Sequence, residues 1–138
     1  MTQAKIYRGT CFEGVPKVLM ARVQGAAATN ITQATVTALS YTVDQYDSED
    51  DAIADANATS VATSTNLTPV SSYVYDSLQT DNDWQADTTG YNFKFTAPAA
   101  SFPVGNKWVR VEAWVDPTSG EDFPAGVWVL EVLATAKD

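Results

Sequence analysis

The alternation in the last third of the chain constrains its fold more than any other feature. From Lys107 to Val115 the residues run Lys-Trp-Val-Arg-Val-Glu-Ala-Trp-Val. In an extended strand this puts Trp108, Arg110, Glu112 and Trp114 on one face and Val109, Val111, Ala113 and Val115 on the other. A helical period would scatter the two sets around a cylinder, whereas a two-residue period keeps them apart. Asp116-Pro117-Thr118-Ser119-Gly120 supplies turn chemistry, with proline presetting φ and glycine admitting positive φ. Val127-Trp128-Val129-Leu130-Glu131-Val132-Leu133 then returns, so an antiparallel hairpin is expected, with the small aliphatic face turned into a core. The Trp108/Trp114 face mixes indoles with Arg110 and Glu112 and is half wet. It needs a cover, either another chain or loops of the same chain.

Upstream, the same rhythm recurs. Residues 18–23 and 34–43 read as strands, the second with Val36, Ala38, Ser40 and Thr42 on one face and Thr35, Thr37, Leu39, Tyr41 and Val43 on the other. Val70 to Tyr75 and Tyr91 to Phe95 follow, with Tyr91, Phe93 and Phe95 together and Asn92 and Lys94 outward. Residues 46–65 read as a long polar connection with no hydrophobic face of its own. Within it, Ser48 ahead of Glu49, Asp50 and Asp51 is suited to cap a single helical turn.

Composition narrows the chemistry. The chain has 138 residues, 45% of them hydrophobic, enough for one domain with its own core. A net charge of -9 with only 8 Lys and Arg argues against a nucleic-acid partner, because phosphate backbones are held by cationic side chains. Histidine is absent, which removes Ser-His-Asp and Cys-His arrangements. Cys11 is the single cysteine, so no internal disulfide and no thiolate zinc site can form, and a place in the core is expected for it. No run approaches the roughly 20 apolar residues of a membrane span, and Met1 to Ile6 lack the apolar segment of a signal peptide, so synthesis in a cytoplasm and no membrane partner are expected.

The acidic clusters are the remaining candidates for chemistry. Asp47, Glu49, Asp50, Asp51 and Asp55 lack the spacing and central glycine of an EF-hand loop. Asp81-Asn82-Asp83 with Asp87 is a better oxygen cluster, but side-chain capping of a tight turn is the favoured reading. The Asn30, Asn57 and Asn66 sequons are read as chance matches in a threonine-rich chain. No catalytic residue, cofactor or metal is assigned.

One stretch carries a resemblance. Residues 74–81, Trp84, Asp87, Gly90-Tyr91-Asn92-Phe93 and Phe102-Pro103 resemble, within roughly residues 17 to 135, the small Ig-like β-sandwich structural proteins of tailed bacteriophages. The resemblance implies an all-β, antiparallel Ig-like sandwich of about seven to eight strands at 17–138, with residues 1–16 as an N-terminal arm or extra strand. It makes the Tyr91 region similar to the tyrosine corner of Ig domains, with Phe93 standing where their second cysteine would be. It implies a non-enzymatic virion component, made in the host cytoplasm, that decorates or cements the capsid. Its partners would be the major capsid protein and copies of itself; an adaptor in tail or baseplate is the alternative location. Tyr7, Arg8, Tyr73, Tyr75, Trp108 and Trp114 are the expected contact residues, and the arm could lie on a partner by strand addition. The competing class is a carbohydrate-binding module, in which exposed Trp and Tyr rings stack on sugars beside Asp and Asn.

Overall fold

Eight strands arise from this patterning in the computed structural model, which describes residues 5–25 and 28–135. They are β1 (Ile6–Phe12), β2 (Lys17–Ala21), β3 (Val36–Tyr46), β4 (Thr59–Asn66), β5 (Val74–Gln79), β6 (Tyr91–Ala97), β7 (Lys107–Pro117) and β8 (Phe123–Leu133), with one short helix, α1 (Glu49–Ala54). A five-stranded sheet runs β1-β8-β7-β3-β4 and a three-stranded sheet runs β2-β6-β5. Every pairing is antiparallel except that of β1 with β8, which is parallel from Ile6↔Val127 to Phe12↔Leu133. In immunoglobulin lettering β8-β7-β3-β4 is G-F-C-C′ and β2-β6-β5 is B-E-D, so the protein is an all-β sandwich with Ig strand order. Strand directions put the connections at 13–16, 47–58 and 98–106 at one pole, and those at 22–35, 80–90 and 117–122 at the other.

The expected hairpin forms, with Val111 opposite Trp128 and Val109 opposite Leu130. Val109, Val111, Ala113 and Val115 are fully buried against Phe93, Phe95 and Ala97 of β6 and Leu19 and Ala21 of β2. Trp128 fills the space between the sheets. Its ring stacks near Tyr7 (5.8 Å, 20°) and Phe93 (6.3 Å, 26°) and meets Phe95 edge-on (5.7 Å, 72°). Its Nε1 donates to the Met20 carbonyl at 3.2 Å, satisfying the one polar atom the indole brings inside. Gly126 eases this seat, since a Cβ there would lie 3.1 Å from the ring. Cys11 is buried in the same core, where burial pushes its thiol up to about 11.

Six readings change. Val70–Ser72, read as the start of a strand, form a single 3-10 turn, and β5 begins only at Val74. Asn92, expected to point outward, is buried and bonds to the Val23 backbone. An irregularity between Val36 and Ala38 turns Val36 inward with Leu39, Tyr41 and Val43 instead of leaving it on the Ala38 face. Residues 59–66, read as polar connection, are the edge strand β4. Pairing on one side only, and register shifts after Tyr41 and Val43, erase the alternation that would have announced it. The connection also has an apolar face after all, because Ala52 is fully buried and packs with Ile53 on Tyr46, Trp108, Val127 and Val129. Tyr91 is not a tyrosine corner. It begins β6, the E strand, and its hydroxyl donates to the Asp81 carboxylate at 2.6 Å, while the corner belongs to strand F and bonds to backbone. The N-terminal segment supplies the extra strand, β1, which pairs with β8 and forms one edge of the five-stranded sheet.

Replacing Trp128 by alanine should cost about 3–5 kcal/mol, the range for emptying a buried aromatic site, read as a lowered urea midpoint at unchanged slope. Cys11 in the native protein should resist a thiol reagent at pH ~8 and react at once in denaturant, since only the unfolded thiol, with a pKa near ~8.5, ionises there.

Candidate functional site

The six expected contact residues are distributed over three environments. Tyr7 belongs to the core margin, stacked on Trp128 and tilted against Trp84 at 6.3 Å, and burial raises its phenol. Arg8 projects from β1 with its guanidinium 3.9 Å from Glu49. Trp108 and Trp114 lie on the outer face of the five-stranded sheet, both half-buried, Trp108 opposite Tyr46 and Trp114 opposite Ser40 and Pro124. Tyr73 and Tyr75 lie on the other sheet, where they line a shallow depression with Ser72, Lys94, Phe95 and Thr96. The fold thus brings Arg8, Trp108 and Trp114 to one sheet and Tyr73 and Tyr75 to the other.

The chain itself supplies the cover over Trp108. Ser48 caps α1 by accepting the Asp51 N–H at 3.2 Å, and Glu49, Asp50 and Asp51 fill the first turn, where the positive end of the helix favours them. At the other end Arg110 donates to the Ala52 and Ile53 carbonyls at 3.0 and 3.1 Å, and its Nε donates to Glu112 at 3.2 Å. The Tyr46 hydroxyl donates to Asp55. Burial, followed by the charges of Asp55 and Glu112, raises the carboxyl of Asp44, and Arg110 opposes the rise. These interactions fasten α1 over Trp108; Arg8, beside Glu49, and Ile6, 37% exposed, remain accessible on that face, and Trp114 stays half-buried.

The carboxylates at 80–90 brace a loop. Asp87 accepts from Trp84 Nε1 at 3.0 Å, from the Thr89 N–H at 3.0 Å and from the Gly90 N–H at 3.1 Å, and it pairs with Arg22 at 2.6 Å. The Gly90 N–H, then Trp84 and Arg22, hold its carboxyl far below the usual carboxylate range. Only glycine fits at 90, where φ is 111° and a Cβ would lie 2.5 Å from the Gln79 carbonyl. Asp81 accepts from Tyr91 and from the Asp83 N–H at 2.9 Å, an Asx turn, and the Tyr91 bond leads the lowering of its pKa. Buried Asn92 accepts from the Val23 N–H at 2.7 Å and donates to the Val23 carbonyl at 3.0 Å, tying the neighbouring loop to β6. The charged and polar groups of this pole hold backbone in place.

The opposite pole carries a surface that the periodicity did not reveal. Phe12, Val15 and Val104 are 53%, 44% and 43% exposed, with exposed Pro16 and Pro103 beside them in the chain. Hydrogen bonds bring their segments together: Glu13 N–H to the Leu133 carbonyl, Gly14 N–H to the Phe102 carbonyl, and Gly105 N–H to Glu13 Oε2 at 2.7 Å. Three exposed apolar side chains are thereby gathered at one pole. A signal was present in Gly14-Val15-Pro16 and Pro103-Val104-Gly105, turns that spend an exposed position on valine where polar residues are usual.

The class defined here is an Ig-like sandwich with a self-covered sheet face, one pole braced by its carboxylates, and a second pole where exposed apolar side chains lie at the same end as the acidic 47–58 connection. Comparison with known protein families, with curated proteins and with solved structures finds no match.

Because the Asp87 pKa is lower folded than unfolded (about 3.9), its carboxylate stabilises the fold above that value, and the contribution fades as pH falls through the native pKa. Between pH ~7 and pH ~2 the wild type should therefore lose more stability than Asp87→Asn, measured as urea midpoints across the range.

Proposed function

We propose that the protein is a non-enzymatic virion component that decorates or cements a capsid shell, seated on the shell by its apolar pole. The exposed cluster of Phe12, Val15 and Val104 carries this reading. Fully burying an exposed side chain of this kind is worth roughly 1.5–3 kcal/mol; these are 53%, 44% and 43% exposed, so about half of that remains to be gained at each, and three together give a useful contact without a deep pocket. The opposite pole, with Asp81, Asp83, Asp87, Glu121 and Asp122, stays hydrated and discourages copies from stacking end to end. Arg8 and Trp114, on the uncovered part of the five-stranded sheet, are placed to meet a neighbouring copy, the second contact that turns decoration into cement. The non-enzymatic reading rests on the use of the perturbed carboxylates: Asp81 and Asp87 are engaged by loop donors, Asp44 sits beside the fastening of α1, and Asp122, raised by desolvation and by Asp116, lies in the turn between β7 and β8.

Co-sedimentation with undecorated phage heads and with isolated tails, followed by heating, tests this. Head binding with a gain in heat resistance is the expected outcome. The Phe12→Ser, Val104→Ser double variant should weaken binding at least tenfold, about 1.4 kcal/mol, with an unchanged melting temperature. Binding to tails alone would move the protein to an adaptor role. Binding to neither particle, or binding indifferent to the double variant, would overturn the proposal.

A further inference from the structure

We infer that the depression on the three-stranded sheet is a binding site for a neutral oligosaccharide, separate from the apolar pole. It is an open, shallow depression of about 310 Å³. Its wall presents the two tyrosines, Tyr73 and Tyr75, with the hydroxyls of Ser72 and Thr96 and the side chain of Lys94 around them. Aromatic faces to receive the C–H surface of a pyranose, ringed by hydroxyl donors and acceptors, are the groups such a ligand requires.

The platform is held ready before any ligand arrives. Tyr75 is locked edge-on to Tyr91, with centroids 5.8 Å apart at 84°, and Tyr91 is anchored through its hydroxyl on Asp81. The backbone of Tyr73 is fixed from both sides: its N–H donates to the Val70 carbonyl at 3.0 Å and its carbonyl accepts the Lys94 N–H at 3.0 Å. Both rings nonetheless remain only half-buried. Rings whose positions are already set lose little freedom on binding, which is how a shallow site gains affinity.

Charge selects a neutral ligand. The chain carries a net charge of -9, a field that disfavours anions. The Lys94 ammonium lies 5.9 Å from the Tyr91 ring centroid and acts on the Asp81 carboxylate, so its charge is already in part compensated.

Saturation-transfer and amide-shift NMR on the wild-type protein, with maltohexaose, cellohexaose, chitohexaose and mannohexaose as neutral probes and an oligogalacturonate as the anionic one, tests the assignment. At least one neutral hexasaccharide should bind saturably and shift the amides of Tyr73, Tyr75, Lys94 and Thr96. Tyr73→Ala and Tyr75→Ala should each weaken that binding at least tenfold, and Lys94→Gln less than threefold. Shifts mapping elsewhere, saturable binding of the oligogalacturonate alone, or no saturable binding of any neutral probe would overturn it. The wild-type shift map decides the matter even if a tyrosine variant fails to fold.

Discussion

Trp128 spans the gap between two sheets that have no strand pairing with each other, and it does so with both kinds of contact available to an indole. Its ring packs on Tyr7, Phe93 and Phe95, and its N–H reaches the Met20 carbonyl on the opposite sheet. Gly126 eases its seat, since a Cβ there would lie 3.1 Å from the ring. In this respect the protein departs from antibody domains, in which a disulfide and a strand-C tryptophan occupy the middle of the sandwich. Here the tryptophan comes from the G strand and hydrophobic burial replaces the covalent bridge. With the centre filled from β8, strand β1 can lie parallel beside it and contribute Tyr7 and Cys11 to the same layer.

Once the sheets are joined, the remaining polar groups serve to position connections. Asp87, Arg22 and Trp84 hold the 80–90 loop, Asn92 holds the loop after β2, and Arg110 holds the carbonyl end of α1. Buried or half-buried charges in these places are each met by several donors or acceptors, which is the condition under which their desolvation is tolerated. At the pole opposite the 80–90 loop the Gly105 N–H bond to Glu13 likewise positions connections, bringing the segments of Phe12, Val15 and Val104 together, while Tyr73 and Tyr75 line the depression on the three-stranded sheet.

Much of the architecture was legible in the chain because strand period and burial agree in the middle of a sandwich. The β7–β8 hairpin and the strand at Tyr91 to Phe95 could be written down from alternation alone. Legibility failed at the edges. β4 pairs on one side and shifts register, so its run of Thr, Ser, Ala and Val reads as a loop. The contact residues were harder still, because a tryptophan on a wet face looks the same in sequence whether a helix of its own chain or another molecule covers it. Trp108 lies beneath α1 and Trp114 lies largely beyond it, although their local patterns are alike.

The chain by itself determined that the protein is built of strands, that its core is aliphatic and aromatic, and that histidine and disulfide chemistry are closed to it. Those properties depend on side-chain identity and on near-neighbour spacing, which a linear text contains. Tertiary structure alone decided which side chains remain in water. Phe12 and Val104 are 92 positions apart, as are Glu13 and Gly105, whose hydrogen bond draws the two turns together. Exposure is a property of what else arrives at the same place, and that is set by the pairing of strands distant in the chain.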